Sequence, residues 1–531
     1  MPAPKSKVLP LSLVSNANCD STRPPTSDEL RGEIRTRIDT LLAFAEGEAG
    51  REASTFKAFE QALIPKVLEL ARLLIALFLC LGEERERPRQ AEVEVDGEKF
   101  RCKPAQARNL NTLFGVVRYW RTYLLGPMVS GVRRGFHPLD VKLGLTADRM
   151  SMNLLSLATR LATKLSYAQT RAVLGWFLLQ PPSTEVIEQA VLGLGRRTAE
   201  WFESAPPPEG DGDVLLILID SKASPTATEE ELQRRRGKRR KGRAKSPRHR
   251  GRERRDHYGS KPRRKKGDKS KNGRMATMVV MYTLKRSGRQ LLGPINRRFY
   301  ASFAPKRHAF EIARREADKR GFTVSAKKLV QIVTDGDEVL ATYAKEFFPG
   351  ATHTLDVMHA LEYLWTAGEC LHREGSSELK SWMDTQKQQL YAGNIGAILS
   401  ELRRQLLAIP PTGPGNKGRR ERLTGAIEYL DKRVHQMNYG DLLAADLEIG
   451  SGAVEGAIKN IIGARFDKGG MRWIRERAEA LLQLRCIEMN GDWERFIERV
   501  HDDLLHAQQR GCRLRLQQAT PAPLPQLAEA A

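Results

Sequence analysis

The stretch Val214-Leu-Leu-Ile-Leu-Ile-Asp220 decides the reading of this chain. Six apolar residues in a row, closed by an acid, fit a strand covered on both faces. A second run, Leu329-Val-Gln-Ile-Val-Thr-Asp335, repeats the design. A third acid lies in Ser451-Gly-Ala-Val-Glu455-Gly-Ala-Ile-Lys459, where Val454, Ile458, Ile461 and Ile462 give a short helix its apolar face. Carboxylates at the ends of buried elements are hard oxygen ligands, which Mg²⁺ prefers. A pair of such ions about 4 Å apart activates water and steadies the leaving oxygen of a phosphodiester. The expected site is therefore Asp220, Asp335 and Glu455 around two Mg²⁺ (or Mn²⁺) ions, for metal-dependent cutting of nucleic acid.

Rival acids stand close by. Asp337 precedes a helix beginning at Glu338 and suits its N-cap, which leaves Asp335 for the site. Glu448 lies in the segment ahead of the Glu455 helix. Asp356 and His359, in Asp356-Val-Met-His359, read first as a helix cap with a packed histidine; a supporting place beside the site is the alternative. Glu455 and Lys459 are four residues apart, so a surface ion pair competes with the site reading. Lys222, Lys459 and Arg472 are candidate phosphate contacts. Trp473 reads as core before it reads as a base-stacking residue.

Working outward, strands are expected at 214–220, 275–284, about 296–303, 329–334 and 351–355. Helices follow Pro305 and Asp337. A β-β-β-α-β-α-β order with acids at these places is the plan of a ribonuclease-H-like α/β domain, here spanning 206–504. Residues 357–444 carry no strand pattern and read as a helical insertion ahead of Glu455.

The N-terminal half is expected to be mostly helical. A loose tail covers 1–27 and a helical region 28–90. A small β module covers 91–145, with a hairpin signal at Asp96-Gly97. Helical patterning returns over 146–205, where Pro181-Pro182 separates two helices and Ser183 or Thr184 caps the second. A DNA-binding helix-turn-helix and an ordinary helical hairpin both fit. Residues 505–531 read as a loose tail. The longest uncharged apolar run, Leu73 to Gly82, is too short for a bilayer, which needs about 20 residues, and reads as a buried helix.

The chain has 531 residues and a formal net charge of +24. Between 234 and 274 lie 22 basic and 3 acidic residues, a net +19. The basicity is thus local, in a loop (231–274) just after the first strand. It includes Arg234, Arg235, Arg236, Arg239, Arg240, Lys241, Arg263, Arg264, Lys265 and Lys266. Such a run buries almost nothing and repels itself, so it is read as a disordered arm that neutralises phosphates without sequence preference. The six cysteines form no CxxC pair, which sets aside zinc knuckles and fits a reducing cytosol. No secretory signal is expected, nor any membrane partner.

At these residues the chain resembles bacterial insertion-sequence transposases of the Kra type. The likeness runs from about 110 to 495. It includes Gly115-Val-Val-Arg-Tyr-Trp-Arg121-Thr-Tyr123, Pro138-Leu-Asp140, Asp220, Thr334-Asp335-Gly336-Asp337, Asp356-Val-Met-His359, Gly450-Ser-Gly-Ala-Val-Glu455, Lys468-Gly-Gly-Met-Arg-Trp473 and Leu484-Arg485. The resemblance implies a DDE transposase whose triad is Asp220, Asp335 and Glu455. It implies binding to the terminal inverted repeats of double-stranded DNA, strand cleavage and strand transfer without a covalent enzyme–DNA intermediate, and a homo-oligomer that holds two ends. Where relatives carry a cysteine pair after the Arg-x-Tyr segment, Leu124-Leu-Gly-Pro127 stands here, so no zinc is expected. A nuclease without strand transfer and a catalytically inactive DNA-binding descendant are the rival readings.

Overall fold

The computed structural model describes residues 23–95, 97–129, 132–146, 149–178, 180–230, 233, 273–326, 328–467 and 473–509. The described chain divides into two units, 23–197 with 492–509, and 198–491.

In the first unit, α1 (Ser27–Ala49) and α2 (Phe56–Glu86) form an antiparallel hairpin. The helix α1 starts at a capping box: Thr26 Oγ1 accepts from the Glu29 N–H at 3.2 Å, and Glu29 accepts from the Thr26 N–H at 2.9 Å. Phe44 stacks on Phe59, and Arg37 pairs with Glu69 at 3.1 Å across the hairpin. Four antiparallel strands follow in sequence order, β1 (Glu92–Val95), β2 (Glu98–Thr112), β3 (Gly115–Val129) and β4 (Val132–Phe136). The β2–β3 turn falls at 113–114. Asp140 ties this sheet to the helix Pro138–Leu143 by accepting from Arg108, Tyr119 and Arg121.

Two expectations for this unit change. The run Leu73–Gly82 does lie in one helix, but that helix is not buried all round: Leu73, Ala76 and Leu79 are covered while Leu74 and Phe78 face outward. The helix Thr184–Gly195 buries Ile187, Ala190, Val191, Leu192 and Leu194, and its exposed first turn carries Glu185 rather than basic residues. That packing favours the ordinary hairpin over a groove-reading helix, which needs an exposed basic face. The helix Trp493–Gln509 also packs in this unit, with Trp493 Nε1 donating to Ser156 Oγ at 2.9 Å, and so falls outside the α/β unit.

The second unit is built on β5 (Val214–Ala227), β6 (Gly273–Ser287), β7 (Gln290–Ser302), β8 (Leu329–Thr334), β9 (Thr352–Leu355) and a short β10 (Trp473–Ile474). The order is β7-β6-β5-β8-β9, with β10 alongside the far end of β5. The first three strands are antiparallel neighbours, and β8 and β9 run parallel to β5. The apolar run of β5 is fully buried at Leu215 through Ile219, as a central strand should be. Leu215, Ile217 and Ile219 share a core with Ala309, Phe310 and Ala313 of the helix Lys306–Lys319 and with Leu340 and Ala344 of Glu338–Phe347. By alternation, Leu216, Leu218 and Asp220 point to the opposite face.

Between β9 and Glu455 the chain forms the helices Val357–Leu371, Ser377–Tyr391, Ile395–Ala408, Asn416–Asp431 and Tyr439–Ala444. Their buried Leu364, Leu379, Leu390, Leu399, Leu402, Leu423 and Leu430 give the insertion a core of its own. Among the described residues, no helix is long and apolar enough to cross a membrane.

Candidate carboxylate site

The register of the sheet sets the acids. Ile219 is level with Thr334 on the parallel pair β5–β8, so Asp220, still within β5, and Asp335, the first residue past β8, stand side by side. Thr334 is level with Leu355 on β8–β9, so Asp356 stands next in the row. Neighbouring strands lie about 4.8 Å apart. Three adjacent parallel strands thus each carry an aspartate at the same level, just past the last residue of β8 and of β9 and within the length of β5. From the sequence, two of them are expected at the site, and Asp356 reads first as a helix cap, with a place beside the site as the alternative.

Glu455 sits on the helix Gly452–Ala457, which packs against β5 and β6. Its placement depends on Asp356. Asp356 is fully buried, caps the helix Val357–Leu371 through the Met358 N–H at 3.0 Å, and accepts a close hydrogen bond from Ser451 Oγ. The same hydroxyl lies 3.5 Å from Glu455 Oε1. The backbone closes the contact where the Val357 N–H donates to the Ile449 carbonyl at 2.9 Å. Ser451 was visible in the Gly-Ser-Gly run, but its link to Asp356 joins positions 95 residues apart, and no local pattern carries that.

The insertion holds the second acid. Tyr429 OH donates to the Asp335 carbonyl at 3.0 Å, and Arg433 Nε donates to the Gly336 carbonyl at 2.8 Å. Tyr363 stacks on the Tyr429 ring at 3.5 Å between centroids, and the Arg433 guanidinium lies over its face at 3.9 Å. Gly336 has a φ of +82°, and a Cβ there would run into Tyr429, Leu355 and Arg433. The Asp335 carboxylate accepts from the Asp337 N–H at 3.0 Å, a turn that re-aims the chain into the next helix. Tyr429 and Arg433 carried no sequence signal, because they sit on a helical surface with no motif around them.

The electrostatics tie the acids together. Burial lifts the Asp220 carboxyl above the ordinary aspartate range. The Ser221 N–H, 2.5 Å from Oδ1, pulls it back. The charges of Asp335 and Glu455 lift it again, and His359 lowers it. Such a raised carboxyl, flanked by like charges, is where a cation gains most. His359 is near enough to act on Asp220 and also lies 3.4 Å from Glu362.

The rival acids are otherwise engaged. Asp337 caps its helix through the Val339 N–H at 2.8 Å and binds Lys306 closely. Burial pushes its carboxyl up, but those partners outweigh burial and bring it below the usual value. Glu448 is bound through its backbone to Gln331 and lies 3.5 Å from Tyr282 OH. Tyr282 is level with Leu216, four residues before Asp220 and so about 13 Å along the strand.

Of the candidate phosphate contacts, Lys222 shares the Asp220 side of β5 and is paired with Asp467 at 2.7 Å. Lys459 is exposed and, among the described residues, forms no ion pair, since the helix widens into a π-turn over Ile458–Asp467 and breaks the four-residue spacing to Glu455. Trp473 is buried against Phe466 and under the Arg465 guanidinium, which makes it core. Arg472 and the basic residues Arg234, Arg235, Arg236, Arg239, Arg240, Lys241, Arg263, Arg264, Lys265 and Lys266 lie outside the described residues, as do the tails 1–22 and 510–531.

Among the described residues, no group of three or more His, Cys, Asp or Glu side chains is drawn close enough to hold a metal ion. The acids therefore stand within electrostatic reach of one another without closing into a chelate. Their all-oxygen donor set, with burial and mutual repulsion at Asp220, fits a hard divalent cation rather than zinc. No family model matches this chain, and no curated protein matches it.

Proposed function

We propose that the chain is a DNA transposase of the DDE type, whose ribonuclease-H-like domain cuts and rejoins DNA. One observation carries the reading: Asp220 and Asp335 stand at the same level on adjacent parallel strands, with Glu455 in electrostatic reach. The strand order β7-β6-β5-β8-β9, three antiparallel strands followed by two parallel ones, supports the fold reading.

Asp220, Asp335 and Glu455 would hold the divalent ions. When bound, such a pair lowers the pKa of an attacking hydroxyl and offsets charge on the reacting phosphate. The chain's own residues set the geometry. Tyr429 and Arg433 grip the peptide after β8, Asp356 and Ser451 fix the turn before Glu455, and buried β5 makes Asp220 the fixed point. Lys222 and exposed Lys459 are the described cations available to DNA phosphate, Lys222 by exchanging Asp467 for it. The partner is double-stranded DNA carrying the ends of the element.

The test uses DNA flanking the coding sequence. Purified protein is mixed with Mg²⁺, a duplex bearing that flank and a supercoiled target. Joined flank–target products are expected, and Asp220→Asn, Asp335→Asn and Glu455→Gln are each expected to lose more than about 100-fold in yield. Cleavage without joining would leave a nuclease. Binding with neither would leave an inactive descendant.

A further inference from the structure

Between the helix hairpin and strand β3 of the first unit lies a cavity of about 170 Å³. Its floor is apolar and covered: Leu30, Ala76 and Trp120 are 1%, 9% and 8% exposed. Pro24 and Pro25, just ahead of α1, form part of the wall. Its rim is charged, because α2 carries the exposed Glu84 and Arg87 there, three residues apart and so neighbours on one face. Both groups keep hydrogen-bonding capacity. Glu84 accepts from the Ser27 N–H at 3.3 Å and lies 3.6 Å from Cys80 Sγ, in each case through Oε1, so among the described residues Oε2 is open. Arg87 reaches Thr122 Oγ1 at 3.4 Å and Glu83 at 3.7 Å, in each case through Nε, so among the described residues its two terminal nitrogens are open as well. The carboxylate site of the second unit uses none of these residues.

We infer that this cavity takes one cytosine base, its ring on the apolar floor and its hydrogen-bonding edge along the charged rim. Size comes first. An apolar cavity of about 150 Å³ takes benzene. A cavity of about 170 Å³ therefore suits one six-membered ring with its substituents, and is small for the two fused rings of a purine. The edge then chooses among single rings. Cytosine presents an amino donor at C4, followed by two acceptors, N3 and the C2 carbonyl. Glu84 Oε2 is an acceptor only, and the terminal nitrogens of Arg87 are donors only. One acceptor beside two parallel donors complements that edge, in the order in which guanine meets it in a base pair. Uracil and thymine instead turn a carbonyl towards the carboxylate and an N–H towards the guanidinium, so like faces like at both positions. The inference concerns the first unit alone and stands or falls separately from the DNA chemistry.

Calorimetric titration of cytosine and of uracil into the full-length protein tests it. Cytosine is expected to bind at least about 10-fold more tightly than uracil, because the wrong edge leaves hydrogen bonds to charged groups unmade. Glu84→Gln keeps the shape but adds an N–H that the 4-oxygen of uracil can accept, so that preference is expected to shrink towards parity. Ala76→Leu, which fills the floor, is expected to abolish cytosine binding. Glu84→Gln, at an exposed position, carries the test should Ala76→Leu disturb the packing. Asp220→Asn is expected to bind cytosine as wild type does, which separates failure of this site from failure of the carboxylate site. Displacement of bound cytosine by a duplex with one unpaired cytosine assigns the base to DNA, and displacement by cytidine alone assigns it to a free nucleoside. Wild type that does not bind cytosine overturns the inference. So does equal binding of uracil, or a preference that Glu84→Gln leaves unchanged.

Discussion

At the scale of single residues, the account rests on how few groups fix each acid. Asp220 needs only its strand, because β5 is buried from Leu215 to Ile219. Glu455 needs help: it is exposed, on a six-residue helix, and its aim depends on the turn that Ser451 and Asp356 lock. Asp356 is therefore a positioning residue. Asp356→Asn keeps the shape but weakens the acceptor for Ser451 Oγ. It is expected to lower divalent-ion affinity about 10- to 100-fold while leaving duplex DNA affinity unchanged. Ser451→Ala should reproduce the effect. If DNA affinity falls in parallel, Asp356 holds the fold and not the glutamate. Asp220 and Asp335 could be singled out in the sequence because an acid closing an apolar run is a local pattern. Tyr429, Arg433 and the Asp356–Ser451 link could not, because they join residues some 95 positions apart through three-dimensional packing.

At the scale of elements, the strands of the second unit were readable for the same reason: apolar runs bounded by turn residues. Their lengths were not. β5 continues seven residues past Asp220, to Ala227, because β6 pairs with it as far as Pro225 and β10 with Thr226 and Ala227. Those partners come from far along the chain. The helix Arg475–Met489 raises a separate point. It carries Glu479, whose carboxylate accepts from Ser302 Oγ at 2.7 Å, the Phe303 N–H at 2.6 Å and Gln483 Nε2 at 2.6 Å. Burial still pushes its carboxyl up to about 7, against those donors. A carboxyl whose folded value lies above its unfolded one binds its proton more tightly in the folded chain. Stability is then fullest below the ordinary glutamate value of 4.5 and falls as pH climbs towards 7. Thermal melts at pH 5 and pH 8 should show wild type losing stability over that interval and Glu479→Gln losing less. Equal losses would mean that Glu479 is ionised in the folded chain throughout.

At the scale of the whole molecule, charge and chemistry are separated along the chain. The segment 234–274 holds +19 of the net +24, directly after the strand that ends the apolar run at Asp220. On the proposed reading, counterion release would make such a segment a nonspecific anchor on DNA. Deleting residues 234–272 should weaken binding to unrelated duplexes and flatten the dependence of log K on log salt, where each phosphate contact contributes about 0.9 to the slope. An unchanged slope would assign the DNA contacts elsewhere. The division of the N-terminal half was the least legible part of the chain. Its helices are amphipathic on more than one side, so periodicity marked where they lie without saying what covers them, as the outward-facing Leu74 and Phe78 illustrate.

The central claim is that Asp220, Asp335 and Glu455 form one cation site, and the most direct measurement is calorimetric titration of Mn²⁺ into the full-length protein. Wild type should bind Mn²⁺ with an affinity that Mg²⁺ competes for, and each of Asp220→Asn, Asp335→Asn and Glu455→Gln should abolish or sharply weaken it, while Asp337→Asn and Glu448→Gln leave it intact. Binding that survives all three site variants, or that disappears with Asp337 or Glu448 instead, would contradict the account.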